Sequence, residues 1–597
     1  MSENRVSFGR IFWPSLIAAF IVSILGFLIF ILTTFGIIGS LIPETKKVNI
    51  ESGVLHLTLE GEIKDKTTDE FDPYNLSFNQ QLSIPAILNG LEYAQKDPSI
   101  KGVFFEIKGW NFGMASAKEI RSALTRFQAS GKFVVAYLSG EVLTQKQYYV
   151  ASACNEIYGF PNTMMEFVGL GTELMFFKNT LDKLGIEVQV FRGNNNDFKS
   201  AVEPFFRSEM SDSARVQVNR YLKSIWIDLK LDISKSRKIP VEKLESIAEL
   251  MQIKRIDDAV KLGLVDKALY KDEVLSLIRK KVKIRESKEL IFTNFDKYAI
   301  QHFIQKQAIN NKNKANIAVV VAEGEISTND SELTSEKICK YLREIRHLDN
   351  IKTLVLRVNS PGGSALASDE IWREIEICKK TKKIIVSMGD VAASGGYYIS
   401  APAHTIFAQA NTITGSIGVF GVIPFTEKMF SDKLGITFDR ASTNSHSVMS
   451  TNRKLSPYEA ELLQEEIDFI YSDFLEKVAD GRKMTTQQVN VLARGRVWTG
   501  VDAQKYGLVD RLGGLNDAIE FAVKDSGIKD AKIVYFPKVE ENPFQAVVDL
   551  IEDQKKEKVS VKKVQIPSNL TNLFTEVEKI QKMKGIQMRL PLYFPVK

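Results

Sequence analysis

One domain-sized pattern occurs twice in this chain, and the chemically distinctive residues are divided between the two copies. Lys183-Leu184-Gly185-Ile186 returns as Lys433-Leu434-Gly435-Ile436, and Gly263-Leu264-Val265-Asp266 returns as Gly507-Leu508-Val509-Asp510. Each of the latter follows an alanine four positions back, Ala259 and Ala503, and Gly61-Glu62-Ile63 returns as Gly324-Glu325-Ile326. Self-similarity at this spacing means a duplicated domain rather than a short solenoid repeat. In that register the second copy has Ser394, in Ala392-Ala393-Ser394-Gly395-Gly396-Tyr397-Tyr398, while the first keeps Tyr148-Tyr149 but has Gln145 near the serine's place. Conversely, the first copy has Lys199 in Phe198-Lys199-Ser200-Ala201, and the second sets Met449 opposite it. A serine from one copy and a lysine from the other suggest one composite site.

At 597 residues the chain exceeds what one hydrophobic core supports, so two or more domains are expected. Its net charge of +6 is small and interspersed, which gives no reason to expect a nucleic-acid partner. The basic stretch around Lys555–Lys563 reads as a solvated face. Three scattered cysteines lack CxxC spacing and the five histidines lack HExxH spacing, so neither a disulfide framework nor a metal site is expected, and no cofactor is implied.

Residues 11–43 contain no charged side chain and are dominated by Leu, Ile, Phe and Val. About twenty such residues span a bilayer core, and no small-residue cleavage site follows, so a single transmembrane anchor is expected. Arg5 and Arg10 precede the run and Lys46 and Lys47 follow it, so charge alone barely separates the two orientations.

Beyond the anchor the pattern is α/β. Apolar runs at Gly53–Leu59, Gly102–Ile107, Phe133–Leu138, Ile317–Ala322, Thr353–Val358 and Ile384–Met388 alternate with stretches of helical spacing at Ala115–Phe127, Ala367–Cys378 and Tyr458–Asp480. Continuous rather than alternating apolar strands predict parallel sheets buried on both faces. The polar, charge-rich end reads as a peripheral tail.

Small-residue turns before helices are common for packing reasons alone, and the segment around Ser394 also allows the reading of an acyl-transfer site. Ser394 follows the run Ile384–Met388 and a Gly389-Asp390 turn, and small residues after it open a helix whose first amides are free. The turn Ser360-Pro361-Gly362-Gly363-Ser364 is first of all turn chemistry, and it also offers glycine amides to an oxyanion beside Gly395. The first copy has Gly109-Trp110-Asn111-Phe112-Gly113 here, too bulky for such a hole. A serine nucleophile needs a base. His404 lies in an Ala-Pro-Ala-His turn with no evident carboxylate partner, whereas Lys199 lies among Phe198, Ala201, Val202, Phe205 and Phe206, an apolar setting that favours a neutral amine. The bland reading of Lys199, an aromatic-flanked lysine reaching to solvent, stays open at this level.

Several motifs together are specific: Ser-Pro-Gly-Gly-Ser at 360–364, Met-Gly-Asp-Val-Ala-Ala-Ser-Gly-Gly-Tyr-Tyr at 388–398, Thr-Gly-Ser-Ile-Gly-Val at 414–419, Phe-Lys-Ser-Ala-Val-Glu-Pro-Phe at 198–205 and Gly-Arg-Val-Trp-Thr-Gly at 495–500. From the anchor to about Pro537 the chain resembles the long, duplicated signal peptide peptidase A family, membrane-anchored bacterial Ser–Lys proteases related in fold to Clp protease and crotonase. The resemblance implies two tandem Clp protease/crotonase-like domains after the anchor. It implies Ser394 as nucleophile, Lys199 as general base, Gly363 and Gly395 as oxyanion donors and Ser416 as the residue orienting the lysine. It further implies a homotetramer at the bacterial inner membrane, with the bulk of the chain on the periplasmic side, degrading leftover signal peptides.

The expected division is 1–10 as a cytoplasmic N-terminus, 11–43 as the anchor, 44–300 as the lysine-bearing repeat, 301–316 as a linker, 317–537 as the serine-bearing repeat and 538–597 as the tail. Two other classes share the pattern. A catalytically idle membrane scaffold would not need both Ser394 and Lys199, and a crotonase-like acyl-CoA enzyme would use a carboxylate and no anchor.

Overall fold

The computed structural model describes residues 50–67, 69–72, 77–285, 288–310, 314–329, 331–537 and 587–589, together with Ser23 and Gly26. The expected anchor at 11–43 lies outside the described residues apart from those two. Among the described residues no helix is long and apolar enough to cross a membrane. Asp69–Asp72 and Ser77–Gln80 pair as an antiparallel hairpin in a small unit of its own; everything below concerns the larger unit.

The apolar runs form the expected sheets. In the first repeat the strand order is Lys267–Ala268, Glu156–Gly159, Phe133–Leu138, Gly102–Asn111, Val54–Glu62, Thr293–Asn294, all parallel. The second repeats this order with Arg511–Leu512, Thr405–Ala408, Lys383–Ala393, Thr353–Ser360, Ile317–Glu323 and Ile533–Phe536. Ile317 to Ala322 are buried without a break, as a strand covered by helices on both faces requires. The helical stretches appear as Met114–Ala129, Ala365–Lys379 and Pro457–Arg482.

The duplication holds at the level of single hydrogen bonds. Tyr148 and Tyr397 donate through their hydroxyls to the carbonyls of Leu264 and Leu508, each at 2.8 Å. Asp266 and Asp510 accept from the amides of Ile157 and Ile406, each at 2.7 Å, and pair with Arg237 and Arg482. The repeated Gly-Leu-Val-Asp is therefore a structural lock that ties each tyrosine-bearing helix and the neighbouring strand to the same turn.

Two expectations need correction. Gly389-Asp390 is not a turn: the strand runs unbroken through Lys383–Ala393, with a register shift against its neighbour. Asp390 is held in extended backbone because its carboxylate accepts the amides of Gly113 and Ser116, at 3.2 and 3.0 Å. It thus caps a first-repeat helix whose own N-cap, Gly113, has no side chain to do so. Segment 301–316, expected as a linker, is helical as far as Ile309. It continues the helix Phe295–Ile309, which packs on Ile84–Lys96, where Gly90 leaves room for Ala299.

The repeats are joined by a buried charge cluster as well as by Asp390. Arg357 of the second repeat, fully buried, pairs with first-repeat Asp65 at 2.9 Å and Glu119 at 2.7 Å and donates to Ser387 Oγ and the Met388 carbonyl. Glu119 also accepts the Leu515 amide at 2.9 Å, and Glu323 accepts the amides of Asp65 and Lys66. Removing the cation strands two buried carboxylates. Arg357→Met should therefore cost about 3–5 kcal/mol in chemical denaturation. Adding Asp65→Asn and Glu119→Gln should recover a large part of that loss, because no uncompensated charge then remains.

Candidate active site

Ser394 and Ser416 come together because their strands end together. Val391, Ala392 and Ala393 pair with Ile413, Thr414 and Gly415, so each serine is the next residue beyond a paired end. Both leave the strand with a left-handed backbone, φ 54° at Ser394 and 49° at Ser416. Such torsions are costly for non-glycine residues and need fixing by their surroundings. Here the Ser394 amide donates to the Gly415 carbonyl at 2.8 Å and the Ser416 amide to the Arg496 carbonyl at 2.6 Å. Ser394 then stands at the N-cap position of the helix Gly395–Ser400, with no side-chain capping bond, so its hydroxyl stays turned to Lys199.

Lys199 arrives from the first repeat. The strand Glu187–Arg192 pairs antiparallel with Phe420–Phe425, Arg192 opposite Phe420, which carries the chain back under the serines. Gly495, at φ 73°, lets Lys199 in: a Cβ there would sit 2.5 Å from the Cβ of Lys199. The Lys199 Nζ lies 2.9 Å from Ser394 Oγ, 3.0 Å from Ser416 Oγ and 3.0 Å from the Ser416 carbonyl. Lys199, Ser394 and Ser416 are all fully buried. Among the described residues no carboxylate forms an ion pair with Lys199, and its pKa is driven well below the usual 10.5 by desolvation.

The other expected positions fall around this centre. Gly362, at φ 97°, packs on Gly395, and a Cβ on Gly362 would lie 2.7 Å from the Gly395 amide nitrogen. Gly363 pairs with Ile326 on one side and Met588 on the other. His404 is not in the centre; its Nδ1 accepts the Ile384 amide at 3.0 Å. In the first repeat the corresponding space is filled. Trp110 stacks on Phe105 and Phe112. Gln145, in the serine's position, bonds the carbonyl of Gly169 through its side-chain amide and accepts the amides of Val168 and Gly169. Met449, set opposite Lys199, is exposed.

Comparison with known proteins follows this geometry. The profile of peptidase family S49 matches residues 126–285 and 376–529, and that of Clp protease matches 311–412. Protease 4 of Haemophilus influenzae is 33% identical over 588 residues, covering 93% of each chain. Protease 4 of Salmonella typhi is 34% identical, covering 79% of this chain and 76% of that one. The chloroplastic serine protease SPPA of Arabidopsis thaliana is 33% identical, covering 80% and 70%. The chain belongs to peptidase family S49. The first S49 match contains Lys199 and the second contains Ser394 and Ser416, so this S49 chain has one composite centre from two matched regions.

Sequence reasoning missed three contributors. Gly495 has no role that its motif assigns, and its one signal is its place in Gly-Arg-Val-Trp-Thr-Gly. Asn196 is buried between Gly193 and Gly418, and its backbone carbonyl accepts the Lys199 amide at 3.1 Å. Nothing in the spacing of three consecutive asparagines marks the third. The remaining one is Met588.

The buried amine has a consequence for stability. Unfolded Lys199 holds its proton up to about pH 10.4, while the folded residue releases it at lower pH. Between the lowered folded value and the unfolded one, the unfolded state holds the extra proton, so stability rises with pH through that window. Lys199→Met removes this increment. Measured by thermal unfolding from about pH 7 to about pH 10, the difference between the two proteins should move steadily in favour of the wild type. A constant difference would mean that the amine is already charged in the fold.

Proposed function

We propose that this chain, a serine protease of peptidase family S49, hydrolyses leftover signal peptides and other apolar peptides at the membrane by a Ser394–Lys199 dyad. The observation that carries the reading is the lysine amine 2.9 Å from a serine hydroxyl, fully buried and without an ion-pair partner among the described residues. Neutral Lys199 takes the proton of Ser394 as its Oγ attacks the scissile carbonyl. The carbonyl oxygen becomes an oxyanion held by the amides of Gly363 and Gly395, each such donor contributing about 3 kcal/mol. The Lys199 ammonium returns the proton to the leaving amine. The amine so restored then deprotonates the water that attacks the acyl-enzyme, and its proton returns to Ser394 Oγ as the acyl group leaves. Ser416, bonded to the same amine through both its hydroxyl and its carbonyl, keeps the free pair of Lys199 aimed at Ser394.

The uncharged run at 11–43 supports anchoring of the chain in the bacterial inner membrane, with its bulk on the periplasmic side. Apolar peptides left in the bilayer are then concentrated at the site. The exposed Leu184, Leu434 and Ile436 of the two Lys-Leu-Gly-Ile segments are apolar surface of the kind a homotetramer would cover.

The test is hydrolysis of a fluorogenic peptide with an apolar residue before the scissile bond. Ser394→Ala and Lys199→Ala should each lose activity by at least about a thousandfold. Lys199→Arg should be equally inactive, since guanidinium keeps its proton. Ser416→Ala should lower kcat more than it changes KM. Full activity in either alanine variant of the dyad would refute the mechanism.

A further inference from the structure

The tail was expected to be peripheral, yet three of its residues lie against the candidate site. Gln587–Arg589 forms a strand antiparallel to Gly362–Ser364, with Arg589 opposite Gly362, Met588 opposite Gly363 and Gln587 opposite Ser364. On its other edge Gln587 pairs with Phe420, four residues beyond Ser416. The segment thus bridges the strand that carries Gly363 and the strand that follows Ser416. A glycine strand offers its backbone with no side chain in the way, the usual means by which an extended peptide adds to a sheet edge.

Met588 is 1% exposed and joins the apolar core of the second repeat. Its carbonyl oxygen lies against both proposed donor segments: a Cβ on Gly362 would be 2.1 Å from that oxygen, and one on Gly395 would be 3.2 Å away. One residue on, the Arg589 guanidinium lies 3.3 Å from the Glu325 carboxylate. A buried unbranched apolar side chain, a carbonyl between two glycine segments beside Ser394, and a basic residue facing a carboxylate are the features of a peptide bound across a cleavage site.

We propose that Gln587-Met588-Arg589 is a built-in ligand of the peptide-binding slot, standing in the place of a substrate strand with Met588 on the acyl side of the scissile position. This rests on the reading of the site in the preceding subsection. No bond is made or broken by the occupancy. Any outside peptide has to displace this strand, and the slot selects extended peptides with an apolar residue of methionine size followed by a basic one.

The experiment is equilibrium binding, by fluorescence anisotropy, of a fluorescein-labelled hexapeptide with Gln-Met-Arg at its centre. The protein is the full chain in detergent carrying Ser394→Ala, so that nothing is cleaved. If the strand fills the slot about nine-tenths of the time, only a tenth of the molecules can bind, and the apparent Kd is raised about tenfold. Met588→Asp, which puts a charge where the pocket is apolar, should lower Kd by about that factor. Arg589→Glu, which sets like charges together at Glu325, should lower it several-fold, and Met588→Leu should leave it within about twofold. A Kd unchanged or raised in both Met588→Asp and Arg589→Glu overturns the proposal, as does absence of binding in every variant. Hydrolysis by the wild type is read separately. Cleavage without the Kd shift sinks only this inference, and the Kd shift without cleavage sinks only the dyad.

Discussion

Lys199 is a fully buried amine with no ion-pair partner among the described residues, and the proposed dyad with Ser394 depends on that burial. Water would restore its usual pKa, and a neighbouring carboxylate would hold its proton in place; either would leave Ser394 without a base. The surroundings meet both conditions. Phe420 lies near the amine, its ring centroid 6.0 Å away, and among the described residues the polar partners are two serine hydroxyls and a carbonyl. Burying such a group is costly by itself, so the cost has to be offset by the remainder of the fold.

That requirement explains why the two repeats are joined so firmly. Neither copy encloses the lysine alone, because Lys199 follows a first-repeat strand and its partners belong to the second. The contact is set by the antiparallel pairing of Glu187–Arg192 with Phe420–Phe425, by the close approach at Gly495, and by two polar joints away from the chemistry. One is Asp390 capping the helix Met114–Ala129 and the other is Arg357 between Asp65 and Glu119. Asp390 lies on the strand Lys383–Ala393, which leads directly into Ser394, so this joint fixes the strand that delivers the serine. At the matching place the first copy has the stacked Trp110 and the hydrogen-bonded Gln145 instead.

What could be read in the sequence was what depends on local pattern. Buried parallel strands are continuous apolar runs, so Ile317–Glu323 and Thr353–Ser360 were visible within two residues. The duplication made the asymmetry between Ser394 and Lys199 visible too, since each residue has a counterpart that lacks its chemistry. What could not be read depends on partners far away in the chain. Gly389-Asp390 looks like a turn until a helix 274 residues earlier supplies amides to the aspartate. Arg357 sits in an apolar strand, where only its carboxylates from the other repeat explain a charge. Gln587–Arg589 lies in a polar stretch with no strand signature, and its pairing is decided by the bare backbone of Gly362 and Gly363.

The most direct test is the ionisation of Lys199 as felt by Ser394. The rate of Ser394 modification by a fluorophosphonate, followed against pH in the full chain, reports the fraction of neutral amine. The account predicts a rise with a single apparent pKa well below the usual 10.5, absent when Lys199 is replaced by alanine. A midpoint near the ordinary lysine value, or a profile indifferent to the loss of Lys199, would contradict it.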